Sequence, residues 1–218
     1  MSENKAKTIT TLNRYPDRGS YTKESIYSIL DCSFLCNIGF VDENANVFVM
    51  PTMYVRVGNK IYIHGSIGSR MMKLLSNGKK ACITVSMVDG LVLAKSAFSH
   101  SLNYRSVVIF AHGEKVTKSD EKFKIFAALT NKILPNRWDF VRQPTEHETK
   151  ITEVIGFNLD EASAKTRTGF PVDKEIDQQF DTWSGIIPCE LTYSEALADS
   201  KNKTQLPTYI KNFLSKKF

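Results

Sequence analysis

The stretch from residue 60 to residue 75, Lys-Ile-Tyr-Ile-His-Gly-Ser-Ile-Gly-Ser-Arg-Met-Met-Lys-Leu-Leu, gathers residue types suited to seating a phosphate. Ile61 and Ile63 favour a strand, Gly65 and Gly68 a sharp turn, and Ser66 or Ser69 can cap a helix that Asn77-Gly78 ends. A helix start presents N–H groups without partners and the positive end of a dipole. Arg70 and Lys73 add full charges there, and a guanidinium can grip phosphate through two parallel hydrogen bonds. His64 ends the strand, placed to bond a phosphate or a sugar hydroxyl. The same residues also describe an ordinary strand, turn and helix with solvated charges, and this segment alone leaves both descriptions open.

The elements that must position this stretch follow from the hydrophobic period. Thr22 caps a predicted helix over 23–30 with Ile26, Ile29 and Leu30 on one face. Strands are expected over 34–41 and 47–57, the second broken or bulged at Pro51, which has no N–H for a ladder. Gly58-Asn59 predicts a two-residue hairpin into the strand 60–64. A strand over 80–88 is expected to turn back at Asp89-Gly90 into 91–95, and 104–116 reads as a long strand with a bulge at Gly113. Acids at 120 and 121 open a helix in which Phe123, Phe126, Ala127, Thr130, Ile133 and Leu134 form the packing stripe, stopped by Pro135. Residues 138–148 read as loop or short helix, 152–159 as a strand, 163–171 as a basic loop in which Lys165 and Arg167 bracket a turn, and 186–192 as a last short strand. A terminal helix is expected from Pro207. Six or more short strands, tight hairpins and a few helices predict a mainly β protein, an antiparallel barrel with peripheral helices. One domain over 14–195 is expected, with tails at 1–13 and 196–218.

A net charge of +6 permits contact with nucleic acid or phosphorylated small molecules. The lysines are dispersed apart from Lys211, Lys216 and Lys217, and no basic–aromatic surface motif accompanies them, which ranks a nucleic-acid partner last. No apolar run approaches the length of about 18 residues that a membrane span needs. Residues 1–11 are polar, without the apolar core of a secretory signal. Cys32, Cys36, Cys82 and Cys189 lack zinc spacing, so free thiols in a reducing, cytoplasmic compartment are expected. His100, His112 and His147 show no metal spacing, so no metal site is expected, and no Ser-His-Asp arrangement is evident.

Five segments in order carry a resemblance: 65–73, Asp-Gly-Leu-Val-Leu-Ala at 89–94, His-Ser-Leu-Asn-Tyr-Arg-Ser-Val-Val at 100–108, Lys-Thr-Arg-Thr-Gly at 165–169 and Trp-Ser-Gly-Ile-Ile-Pro at 183–188. Together they resemble the flavin-nucleotide-binding branch of the pyridoxamine 5′-phosphate oxidase-like family, over residues 14 to 190. The resemblance implies a split β-barrel homodimer with FMN in a groove at the dimer interface. It implies that Ser69-Arg70 is the pair near the FMN phosphate and ribityl chain, that His64 and Gly65 line that chain, and that the backbone of Pro51, Thr52 and Met53 faces the flavin ring. Arg105 and Ser106 resemble a segment reaching the cofactor from the partner subunit; Trp183 resembles a tryptophan of the family's C-terminal motif, stacked near the flavin or packed in the core. Lys73, Lys165 and Arg167 complete the candidate cofactor contacts.

The departures are specific. Met71 follows the Ser-Arg pair where the oxidases carry lysine, Ser106 stands where they carry glutamine, and the C-terminal pattern that holds pyridoxal phosphate is missing. FMN binding is thus better supported than pyridoxamine oxidation. The expected function is an FMN-dependent oxidoreductase passing hydride through flavin N5 to a small molecule, with no side chain assigned as acid or base. The alternative is a non-enzymatic module binding FMN, pyridoxal phosphate or haem.

Overall fold

The structure, a computed structural model, describes residues 8–215. Residues 1–7 of the expected N-terminal tail, and Lys216 and Lys217, lie outside the described residues.

In chain order the elements are β1 (Gly19–Ser20), α1 (Lys23–Cys32), β2 (Leu35–Val41), β3 (Val47–Val57), β4 (Lys60–Ser66), α2 (Arg70–Ser76), β5 (Lys80–Leu93), β6 (Ser101–His112), β7 (Glu114–Lys115), α3 (Ser119–Ile133), α4 (Glu146–Ile151), β8 (Thr152–Asn158), β9 (Ala162–Arg167), β10 (Gly185–Pro188) and α5 (Thr208–Leu214). Every strand pairing is antiparallel, in the order β1-β9-β6-β5-β2-β3-β4-β8-β7, with β10 added to β5. The sheet curls without closing, which makes it a split barrel with helices outside.

Alternation builds the interior. Ile38, Ile61, Ile83, Val107, Ile109 and Phe157 turn inward from neighbouring strands and are fully buried. Helix α1, capped where Thr22 Oγ1 accepts from Ser25 N, adds Ile26, Ile29 and Leu30 to the same cluster. Strand β4 is buried on both faces. Ile61 and Ile63 look into the barrel, whereas Tyr62 looks outward into a second cluster with Val154 and α3's Ile125, Phe126 and Leu129. Each such side chain stabilises the fold by about 1.5–3 kcal/mol on burial. Helix α3 therefore roofs the outer face of β4, and His64, two residues beyond Tyr62, falls on that roofed face.

Several sequence expectations are corrected. Asp89-Gly90 is not a hairpin: β5 runs through it, and the register against β6 shifts between Val88 and Gly90 as a bulge. The chain turns back later, through the 3₁₀ turn Ala97–Ser99. A distant segment explains the error, because β10 pairs with residues 90–93 and holds the strand straight. Pro51 needs no bulge; it stands opposite Asn37 in an unbroken register. Tyr54 N donates to Phe34 O, so by alternation the 37/51 pair is a non-hydrogen-bonded one, and the missing N–H faces the edge that β4 does not reach. Residues 163–167, expected within a loop, belong to β9, which pairs with β6. The buried face of α3 is Lys122, Ile125, Phe126 and Leu129; Phe123 and Ile133, placed in the packing stripe from sequence, are exposed. Gly113 is not a bulge within one strand but the corner between β6 and β7, where a Cβ would come within 2.2 Å of Leu75 O.

Candidate functional site

The turn joining β4 to α2 is built as its composition suggests. Ser69 Oγ accepts from Met72 N at 3.5 Å, Ser66 Oγ accepts from Gly68 N at 3.1 Å, and Ser69 N donates to Ser66 O at 2.9 Å. Gly65 faces α2 so closely that a Cβ would lie 2.9 Å from Met72 Cγ. Helix α2 has seven residues, so its dipole is small and the charge at this corner is that of its side chains. Arg70 is exposed, its Cζ 5.3 Å from the Phe48 ring centroid, with no ion pair to it among the described residues. Asp42, in the β2–β3 turn, is held below the usual carboxylate range chiefly by Asn46, with a smaller contribution from Arg70. Lys73 is exposed one turn along α2. Met71, where the oxidases carry lysine, packs against the barrel core.

A second group lies across β5, β6 and β9. Arg105 stands opposite Thr166, Ser106 opposite Lys165, and Tyr104 opposite Arg167. These cations are engaged within their own chain. Arg105 Nε donates to Asp89 Oδ2 at 2.9 Å and its Nη2 to Asp89 Oδ1 at 2.8 Å, while Nη1 meets Cys32 Sγ at 3.6 Å. The Asp89 carboxylate raises the Arg105 pKa further. Lys165 Nζ donates to Arg14 O at 3.1 Å, and Ser106 Oγ to Lys165 O at 3.3 Å. Arg167 is buried and donates to Asn103 Oδ1 and to Gly169 O. Lys165 and Arg167 thus lie on a strand rather than bracketing a turn. Trp183 is 64% exposed and does not fill the core; its ring covers Gly185 at the start of β10.

His64 belongs to a third place. Pro51, Thr52 and Met53 occupy the β3 segment paired with β2, and one step past the Tyr54–Ile63 pairing sets Met53 opposite His64. Both line a cavity of about 390 Å³ between the sheet and α3, walled by Phe126, Leu129 and Ile133 and by Trp138 beyond the helix. Arg142 and Glu148 also line it; Arg142 Nη2 donates to Glu148 Oε1 at 2.7 Å, and the pairing lowers the Glu148 carboxyl to about 2. His64 Nδ1 is buried with no hydrogen-bond partner, and Phe126 meets the imidazole edge-on at a centroid distance of 6.5 Å. Burial lowers the His64 pKa, so the ring is neutral near pH 7. The structure groups His64 with Met53 in this cavity and Ser69 with Arg70 at the turn. Sequence reasoning missed the far wall, residues 126–148, because the α3 stripe looked like plain core packing and 138–148 like a connection.

The fold and these sites define a class before any comparison. A family model described as pyridoxamine 5′-phosphate oxidase matches residues 22–166. The chain belongs to that family. It is similar to the flavocytochrome Anf3 from Azotobacter vinelandii, with 32% identity, a TM-score of 0.86, and 92% of this chain and 94% of that chain covered. It is also similar to the FAD- and haem-binding protein from Mycobacterium smegmatis, with 29% identity, a TM-score of 0.85, and coverage of 89% and 96%. No curated protein matches the sequence. No helix among the described residues is long and apolar enough to cross a membrane.

Proposed function

We propose that the chain is a flavin-binding redox protein that acts as a homodimer. The observation that carries this reading is the likeness, over 92% and 89% of this chain, to two solved proteins described as a flavocytochrome and as binding FAD and haem. The second of these favours FAD over the FMN expected from the family resemblance. When bound, the flavin supplies hydride or single-electron transfer at its ring.

The chain supplies binding and orientation. Arg70, exposed and without an ion pair among the described residues, grips a phosphate oxygen, and the Ser69 cap fixes the helix start that carries it. Lys73 adds charge one turn away. Pro51, with no N–H to offer a further strand, leaves the β3 edge to the ring. Arg105, held by Asp89, stiffens the strand through which a partner subunit would reach the flavin. Core packing of Met71 and the modest reach of Ser106 support flavin binding without pyridoxamine oxidation. The dimer is supported by an exposed apolar strip on β2 and β3, where Leu35 is 50%, Val47 76% and Val49 65% exposed.

The test is release and identification of flavin from freshly purified protein, with Arg70→Ala beside it. The expected result is one flavin per chain, bound about 10- to 100-fold more weakly by the variant, as for loss of a charge-assisted bond of about 1.5–3 kcal/mol. Failure of the purified protein to hold or take up FAD or FMN would overturn the reading. Sedimentation tests the dimer, expected at twice the 24.7 kDa chain mass.

A further inference from the structure

Residues 171–200 differ in charge from the rest of the chain. They hold seven acids and one lysine, net −6, in a chain of net +6, so the remainder carries +12. None of the seven acids forms an ion pair among the described residues. The segment is also apolar and open: Val172 is 84% and Leu197 95% exposed, and Ile176 and Leu191 stand out beside them. Apart from the 3₁₀ turn Glu175–Gln179 and β10 it has no helix or strand. Its first part is nevertheless pinned to the body. Lys95 N donates to Asp173 Oδ1 at 2.9 Å, Lys95 Nζ to Phe180 O at 2.7 Å, and Cys189 N to Asp89 O at 3.1 Å. Beyond that root every residue from Glu190 to Thr204 is exposed. Single exposed apolar residues are ordinary, but a run of them on one anchored segment marks a contact surface.

The charge of this arm narrows its partner. Nucleic acid and anionic lipid surfaces repel it. A basic surface with an apolar trough accepts it, and the body of this chain has one: a groove of about 460 Å³ that Val41, Val47 and Val49 line beside Lys80. Arm and groove lie at opposite ends of one strand. Lys80, Ala81 and Cys82 of β5 line the groove, and residues 90–93 of the same strand carry β10, the root of the arm. Two β5 strands related by a two-fold axis at their middle run in opposite directions. Each arm then comes over the other chain's groove, and the contact forms twice. We infer that the arm 171–200 docks in this groove on a second copy of the chain, its acids toward the cations of that copy and its apolar side chains in the trough. Opposite charges steer the two copies into this register, and the apolar residues supply the burial. The inference rests on the homodimer proposed above and names the segment that completes it.

The experiment mixes the full chain with a heavy-nitrogen copy until native mass spectrometry shows the mixed dimer. A carbodiimide, which joins a carboxylate to an amine in direct contact, then fixes the contacts. The expected products are peptides that join an acid of residues 171–200 to Lys80, with one isotope on each side. Leu197→Asp in the arm and Val49→Asp in the groove should each weaken dimerisation at least about 10-fold by sedimentation. Together they should do little more than either alone, because both act on one contact; separate surfaces would give additive losses. Leu197 is exposed in the single chain, so its variant keeps the fold. Arm cross-links confined to a single isotope, or a Leu197→Asp dimer as tight as wild type, overturn the inference and leave the homodimer reading in place. A chain that sediments at 24.7 kDa at every concentration overturns both.

Discussion

Gly113→Ala isolates the packing that ties the β4–α2 corner to the barrel. At Gly113 a Cβ would lie 2.2 Å from Leu75 O, 2.9 Å from Leu75 C and 3.1 Å from Ile155 Cγ2. The nearest neighbour is a backbone carbonyl near the end of α2, so no side-chain rotation relieves the clash. Restoring ordinary contact, at 3.4 Å or more, moves that carbonyl by about 1 Å. Overpacking of this kind costs about 1–3 kcal/mol, and an unyielding backbone sets the value at the upper end, about 3 kcal/mol. For a chain of this size each kcal/mol lowers Tm by about 2–4 °C, so a drop of about 6–12 °C is expected in differential scanning calorimetry. Gly58→Ala is the control: nothing lies within 4 Å of its Cβ, but its φ of +61° makes alanine adopt the left-handed region. That costs about 1–2 kcal/mol, a smaller fall of roughly 2–8 °C. Because Leu75 and Arg70 share one helix, Gly113→Ala should also weaken flavin binding, whereas Gly58→Ala should not. A Gly113→Ala protein melting within about 2 °C of wild type, or above Gly58→Ala, would refute the close-approach reasoning.

Other outcomes follow from buried and paired groups. Burial pushes the Cys36 thiol up to about 12, above its unfolded value of 9.0, so the folded state keeps a proton that the unfolded chain releases. Its contribution is complete below pH 9 and is lost as pH rises toward 12; urea midpoints should fall over that window, less steeply in Cys36→Ala. Tyr54, raised by burial and donating to Leu30 O at 2.6 Å, adds to the same alkaline loss above pH 10. In the native protein a maleimide should label exposed Cys32 within minutes and reach Cys36 only after unfolding, as mass spectrometry can show. Lys122→Met removes the buried ammonium that donates to Thr152 O at 2.7 Å and lies 4.0 Å from buried Glu153 Oε1; a loss of about 3 kcal/mol is expected by urea unfolding. Asp89→Ala frees Arg105 at a half-exposed site, where solvent screening holds the cost to about 1 kcal/mol in the same measurement.

Local signals made much of the fold legible. Thr22 caps α1, Gly58-Asn59 makes the hairpin, Ser69 starts α2, and alternation marks most strands. What escaped depends on partners distant in sequence. Asp89-Gly90 has the composition of a turn, and only β10, roughly 95 residues on, makes it a bulge. Residues 162–167 are too polar and small to announce a strand, yet β6 supplies the ladder and Asn103 the partner that lets Arg167 be buried. The α3 face differs from the sequence stripe because Lys122, polar in composition, finds backbone carbonyls under the helix, while Phe123 rests edge-on against Trp138 at the surface. The individual anion-binding candidates were visible, but their engagement with Asp89, Asn103 and Arg14 was not, nor was the helix that walls the His64 cavity.

The bulge at Asp89 acts as a change of phase along a single strand. Before it, odd-numbered residues of β5 are buried: Ala81, Ile83 and Val85. After it the parity inverts, and Gly90, Val92 and Ala94 are the buried ones. The extra residue thereby keeps one face of the strand inward on both sides of it: Ile83 and Val85 stand opposite Ile109 and Val107 of β6, and Gly90 opposite buried Asn103. Deleting this one residue would not shorten a loop. It would let Gly90 follow Val88 with the pairs 88/104 and 90/103 kept and the alternation unbroken, and what would be lost is the carboxylate that holds Arg105 and the carbonyl that accepts from Cys189 N just past β10.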